Sequence, residues 1–134
     1  MYLLDTNICI GYLNGTAAHV LSKMRALSAQ DISVCSVVKA ELFYGALKSA
    51  NPVKVLAEQK KFLEQFASLP FDDRAADEYG RIRAHLARRG TPIGPNDLLI
   101  AAIALANNAT LVTHNTAEFN RVPGLTIADW ETPD

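Results

Sequence analysis

Tyr2-Leu3-Leu4 is a short apolar run that stops on a carboxylate, Asp5. Apolar runs this short, with no polar alternation, read as strands covered on both faces. The pattern recurs along the chain. Ile32 to Cys35 and Thr110 to Thr113 are further strand segments, Thr126 to Ala128 is a last one, and Ser68 to Pro70 is a short extended stretch. Helical stretches lie between them: Asn7 to Leu13, stopped by Asn14-Gly15; Ala17 to Leu27; Ser36, read as a cap, to about Ser49; a helix opened by Asn51-Pro52 and running to about Phe66; Asp72 to Arg89; and Asn96 to Asn107. Strands that alternate with helices predict an α/β fold. The expectation is a mostly parallel central sheet of four to five strands with helices on both faces. Strand one is expected near its middle.

The chain has 134 residues, 49% of them hydrophobic and 20% charged. That fits one domain over residues 1–134 with enough apolar side chain for a core. Two isolated cysteines, Cys9 and Cys35, are too few for a disulfide framework or a zinc site, and small buried hydrophobes are the expectation for both. They point to a reducing cytoplasm. No charged segment leads into a signal-like apolar stretch, and the apolar run Leu98 to Ala106 is too short to span a membrane. The formal net charge of −1 argues against a dedicated nucleic-acid-binding surface, but not against an enzyme that meets nucleic acid through bound cations.

Three acids sit in costly places. In open α/β sheets the ligand crevice lies outside the carboxyl ends of the strands, which is where Asp5 stands. Its alternative role is to cap the helix that follows. Glu41 has Val37, Val38, Tyr44 and Gly45 as its helical neighbours, an apolar stripe on which a lone carboxylate needs a metal or a basic partner. Asp97 follows Pro95-Asn96 at the head of an apolar helix, and either Asn96 or Asp97 could be a plain cap. Crossover connections bring Asp5, the Glu41 helix and the segment Thr113-His114-Asn115 to one edge of the sheet. Oxygen ligands without cysteine or paired histidine favour Mg²⁺ or Mn²⁺, and such a centre suits attack of water on a phosphodiester. The chain has no phosphate-binding glycine loop after strand one. An aspartyl-phosphate phosphatase would need a second Asp at residue 7, which is Asn.

Four segments together resemble the PIN-domain family, and more closely the VapC-type toxins of bacterial toxin–antitoxin systems. They are Leu3-Leu4-Asp5-Thr6-Asn7, Ser36 to Leu42, Ile93 to Ala102 and Leu111 to Asn115. The resemblance runs from the first strand to Asp129-Trp130. It implies a PIN-like domain that is a Mg²⁺- or Mn²⁺-dependent endoribonuclease held inactive by a VapB-type antitoxin. In that family the substrates are often structured RNAs, tRNA prominently. It puts Asp5, Glu41 and Asp97 on the three main acidic positions and Thr6 and Thr113 on supporting hydroxyl positions. Where many relatives carry a fourth acid, this chain has Asn115, whose amide oxygen could still hold a metal or its water. Glu118 is the substitute three residues on, expected to face solvent.

Lys39, Arg83, Arg88 and Arg89 are the expected RNA-guiding cations, with His114 as a substrate contact. Leu42-Phe43-Tyr44 with Leu56, Phe62, Leu63 and Phe66 look like more large apolar groups than two short helices need, which predicts a homodimer built on them. The rival reading is a catalytically silent interaction module in which the acids serve as caps and salt bridges.

Overall fold

The computed structural model describes residues 1–132. The elements run β1 (Tyr2–Leu4), α1 (Thr6–Asn14), α2 (Ala18–Arg25), β2 (Ile32–Cys35), α3 (Ser36–Leu47), α4 (Pro52–Leu63), β3 (Ala67–Leu69), α5 (Asp73–Arg88), α6 (Pro95–Ala106), β4 (Thr110–Val112), α7 (Thr116–Phe119) and β5 (Ile127–Ala128), with a 3-10 turn at Ala29–Asp31. The strands form one five-stranded sheet in the order β3-β2-β1-β4-β5. Every pairing is parallel, with Leu3 opposite Ser33 on one side and Leu111 on the other. Strand β1 is the middle strand, as its unbroken apolar run implies.

Leu3 and Leu4 point to opposite faces of the pleat, and both are fully buried. Both faces of the sheet are therefore covered. Val34, Leu111 and Val112 are equally inaccessible. Helix α6 is buried almost all round through Ile100, Ala101, Ala102, Ile103 and Ala104, as a helix without a polar face must be.

Several local expectations shift. Ser36 is the first residue of α3 rather than its cap; Cys35 holds the cap position with no side-chain hydrogen bond. Helix α6 starts at Pro95, with Gly94 in the cap position, so neither Asn96 nor Asp97 caps it. Pro at the first helical position costs nothing, because its missing N–H would have had no partner there. Strand β3 ends at Leu69, before Pro70, which has no N–H to give the ladder. Helix α7 was not expected at all. It is a single turn anchored by the buried Phe119.

The proposed apolar surplus is mostly core. Leu42, Phe62, Leu63 and Phe66 are buried, and Phe62 stacks on Tyr12 with ring centroids 4.8 Å apart while meeting Phe66 edge-on at 5.2 Å. The large apolar side chains left outside on these helices are Tyr44 (67% exposed), Leu47 and Val53 (82%). No helix of the described residues is long and apolar enough to cross a membrane. Cys9 and Cys35 are buried and free, and burial pushes both thiols up, away from reactivity.

Candidate active site

The parallel sheet decides what meets at its carboxyl edge. Strand β1 delivers Asp5 and Thr6, and α3, which starts where β2 stops, carries Glu41. Helix α6 feeds β4, so it must run back from the carboxyl edge, and its first turn, with Asp97, lies there. Strand β4 then delivers Thr113 and Asn115. Asp5, Thr6, Asn7, Glu41, Asp97, Asn115 and Phe119 line one cleft of about 100 Å³.

Asp5 is 6% exposed. It does cap α1, accepting from the Ile8 N–H at 2.9 Å. Capping and lining the cleft are not alternatives here; the residue does both. Burial raises its pKa, and the charges of Glu131 and Glu41 add to the rise, while hydrogen bonds from the Thr113 hydroxyl and the Ile8 N–H oppose it. Thr113 is itself fully buried, and its hydroxyl oxygen also accepts from the Asn115 N–H at 3.0 Å.

Glu41 is half-buried, not sealed in an apolar stripe, since Tyr44 beside it is exposed. Its partners are polar and neutral rather than basic. The Thr6 hydroxyl donates to Oε1 at 2.6 Å, and the Asn96 amide donates to Oε2 at 3.4 Å. Thr6, a supporting hydroxyl position by the resemblance, thus meets Glu41 directly.

Asp97 is the most perturbed acid of the cleft. Its pKa is pushed up to about 7, first by burial, then by a hydrogen bond shared with Glu118 and by the charges of Glu118, Glu41 and Asp5. Glu118 is shifted the other way. Burial pushes it up, but the Gly94 N–H, the Asn115 amide and Asp97 outweigh that, and its pKa falls below the usual value. Gly94 N donates to Oε1 and Asn115 Nδ2 to Oε2, each at 2.9 Å. Glu118, expected to face solvent, is half-buried: α7 sets it beside Asp97 while its bonds to Gly94 and Asn115 stay open to solvent. Sequence reading had placed no helix there, and so lacked the turn that brings residue 118 over Asn115.

The cleft also holds Asn7 and Phe119, which sequence reading did not assign. The signal for Asn7 was its place in Asp5-Thr6-Asn7. Phe119 follows Asn115 by one helical turn, a relation visible only once α7 is known.

The outlying residues divide. His114 is exposed at the carboxyl edge, but its Nδ1 lies 3.0 Å from Asp129 Oδ2 and 3.8 Å from Glu131. The hydrogen bond to Asp129, then the charges of Asp129 and Glu131, raise its pKa. Lys39 stands two residues before Glu41, so it leaves α3 on another side and is not part of the cleft. Arg83, Arg88 and Arg89 lie exposed along α5 and its C-cap, on the segment that leads into α6.

Three carboxylates thus line one cleft with Glu118 beside Asp97, and the hydrogen bonds they accept come from hydroxyls, amides and backbone N–H groups. Crowded acids hold a proton, as Asp97 does near neutrality, or a cation. An all-oxygen donor set of this kind suits a hard divalent ion.

The PIN-domain family profile matches residues 2–125. The tRNA(fMet)-specific endonuclease VapC of Salmonella typhimurium is 40% identical over 129 residues, which is 96% of this chain and 97% of that protein. Ribonuclease VapC2 of Rickettsia felis is 38% identical over 132 residues, 98% of each. Among solved structures, the DNA-bound VapBC of Salmonella typhimurium superposes with a TM-score of 0.91 at 39% identity, covering 96% of this chain and 97% of that one.

Proposed function

The chain belongs to the PIN-domain family and is an endoribonuclease of the VapC toxin class, and we propose that it works through Mg²⁺ or Mn²⁺ held by Asp5, Glu41 and Asp97. The observation that carries this reading is the convergence of Asp5, Glu41 and Asp97 on one cleft with Thr6, Asn7 and Asn115. Three carboxylates from three segments mark where positive charge is wanted. Glu118 joins the set as the fourth acid, and Asn115 holds it in place.

A divalent cation, when bound, supplies positive charge against a phosphoryl oxygen and lowers the pKa of water. The protein's own groups do the rest. Thr113 and the Ile8 N–H fix Asp5, so its free lone pairs point into the cleft. Thr6 and Asn96 fix the Glu41 carboxylate, which orients the attacking water and accepts its proton. The substrate is a structured RNA, with tRNA the first candidate, cut where unstacked nucleotides can enter a cleft this narrow. A VapB-type antitoxin restrains the enzyme in the cytoplasm. A homodimer is built on the exposed Tyr44, Leu47 and Val53 rather than on the buried Phe62, Leu63 and Phe66.

The test is to map RNA 5′ ends after induced expression of wild type beside Asp5→Ala, and to repeat the cleavage with purified protein, tRNA and Mg²⁺ or Mn²⁺. New ends dependent on Asp5 are expected. A folded Asp97→Ala protein that cut RNA at the wild-type rate would overturn the assignment.

A further inference from the structure

Beside the catalytic cleft lies a second groove, larger and apolar, of about 320 Å³. Leu86, Ala87, Ile93 and Leu98 line it together with Tyr79 and Arg83. Arg83 lies over the Tyr79 ring, its Cζ 5.7 Å from the centroid, and Nη1 donates to the Tyr79 hydroxyl at 2.8 Å. Phe71 meets Tyr79 edge-on, with ring centroids 6.0 Å apart. Tyr79 and the Arg83 guanidinium thus line the apolar groove together.

Two facts tie this groove to the cleft. First, Ile93 and Pro95 both line it, and Gly94 between them abuts the acids: a Cβ built on Gly94 would lie 3.5 Å from Asp97 Oδ2 and 3.7 Å from Glu118 Oε1. The two spaces share one turn of chain as their wall. Second, their charges are opposite. Residues 79–96 contain Arg81, Arg83, Arg88 and Arg89 and no acid at all. Of these, Arg81 pairs with Glu78, whereas Arg83, Arg88 and Arg89 are exposed.

We propose that this groove takes the base of a single-stranded RNA nucleotide flanking the scissile phosphate. The inference rests on the nuclease reading above. A nucleobase is planar and apolar on its faces, and single-stranded RNA is held by stacking on aromatic rings and Arg planes. Tyr79 and Arg83 offer that surface, the groove they line accepts the ring, and Arg88 and Arg89 neutralise the neighbouring phosphates. A second copy of this chain would have to cover Arg83, Arg88 and Arg89 without an acid of the same segment to meet them, which favours the polyanion. Recognition by a stacking slot also fits a chain with no net positive charge, since only one stretch of surface needs to be basic.

The experiment uses a labelled stem–loop RNA that the wild-type chain cleaves, remade with an abasic ribose at each loop position in turn. For wild type, one position next to the cut should raise KM about tenfold when its base is removed, at the lower end of what stacking one base contributes. Ala87→Phe fills the groove from an exposed position, so its fold is expected to survive, and thermal unfolding checks that. In Ala87→Phe the KM on the intact RNA should rise by a similar factor, and the penalty for the missing base should vanish. Arg83→Ala should shrink that penalty, and Arg83→Lys, which keeps charge but not the plane, should restore it only in part. Affinity for the same RNA in EDTA, read by anisotropy, should follow the KM values. A penalty of full size in Ala87→Phe, or none in wild type, overturns the groove while leaving the nuclease standing. No cleavage by wild type of this RNA or of tRNA overturns the nuclease, and the groove with it. Loss of a dimer in Ala87→Phe with RNA affinity unchanged assigns the groove to a second copy and also overturns the proposal.

Discussion

The Thr6 hydroxyl donates to Glu41 Oε1 over 2.6 Å, joining the first residue of α1 to the middle of α3. Valine puts a methyl of similar size where threonine has its hydroxyl, so Thr6→Val removes the donor at nearly constant shape. Groups that orient a ligand in this way change metal affinity or activity by about 10- to 100-fold when lost. Thr6→Val should therefore lower RNA cleavage by roughly tenfold or more, and Thr6→Ser should retain most of it. Equal kcat/KM for Thr6→Val and wild type would show that Glu41 needs no such support.

Asp5 carries two separable roles. Asn is as good an N-cap as Asp, so Asp5→Asn should keep the cap on α1 while removing the charge. Asp5→Ala loses both, at a cost of about 1 kcal/mol for the cap alone. Chemical denaturation should rank Asp5→Asn above Asp5→Ala in EDTA, with neither gaining stability from Mg²⁺ or Mn²⁺. A metal-dependent rise in Tm for Asp5→Asn equal to that of wild type would remove Asp5 from the ligand set.

Asp97 gives the metal-free protein a pH dependence of definite sign. Its folded pKa, about 7, stands above its ordinary value of 3.8. The unfolded chain thus binds fewer protons in that interval, and stability is lost as pH rises through the folded pKa. Glu118, with a lowered pKa, acts in the opposite sense and only at the acid end. In EDTA the Tm should fall between pH 5.5 and 8.5, and Asp97→Asn should flatten that fall. Metal must also displace the proton, so calorimetry near pH 6 in buffers of different ionisation enthalpy should show proton release on Mn²⁺ binding. A Tm in EDTA that rose over the same pH range would contradict the shared proton.

Asn115 is complementary to Glu118, because its Nδ2 donates to Oε2. Asn115→Asp replaces that donor with a charge set against another charge. The metal-free protein should lose stability, and a divalent cation should recover more than it does for wild type. The gap between the Tm in EDTA and the Tm in Mg²⁺ should widen, and less Mg²⁺ should suffice for half-maximal cleavage. Asn115→Ala should weaken cleavage less than Asp5→Ala. An unchanged gap in Asn115→Asp, together with lost cleavage in Glu118→Ala, would make Glu118 the ligand and Asn115 only its clamp.

The dimer expectation moves with the exposed residues. Val53→Asp and Tyr44→Asp place charge on side chains that are open to solvent in the single chain. Neither should lower the stability of the monomer by more than about 0.5 kcal/mol, as is usual for exposed sites. Light scattering at micromolar concentration should give a dimeric mass for wild type and a monomeric one for the double variant. A monomeric mass for wild type would end the proposal.

The elements and the acids were legible in the chain because their causes are local. Alternation of short apolar runs with helical stripes depends on neighbours a few residues away, and it yielded β2 at Ile32–Cys35 and the central place of β1 without any knowledge of contacts. A parallel sheet then put Asp5, the Glu41 helix and Thr113-His114-Asn115 on one edge, while Asp97 joined them through the family resemblance. What remained hidden depends on distances through space. Phe62, Leu63 and Phe66 read as surplus apolar surface until the sheet and Tyr12 were packed against them. Glu118 read as a solvated side chain until one turn of helix, pinned by Phe119, set it against Asp97. Periodicity records which face of an element is apolar, but not which other element covers it. The Asp97–Glu118 contact joins two carboxylates from different segments, and only the tertiary structure decides which acids meet.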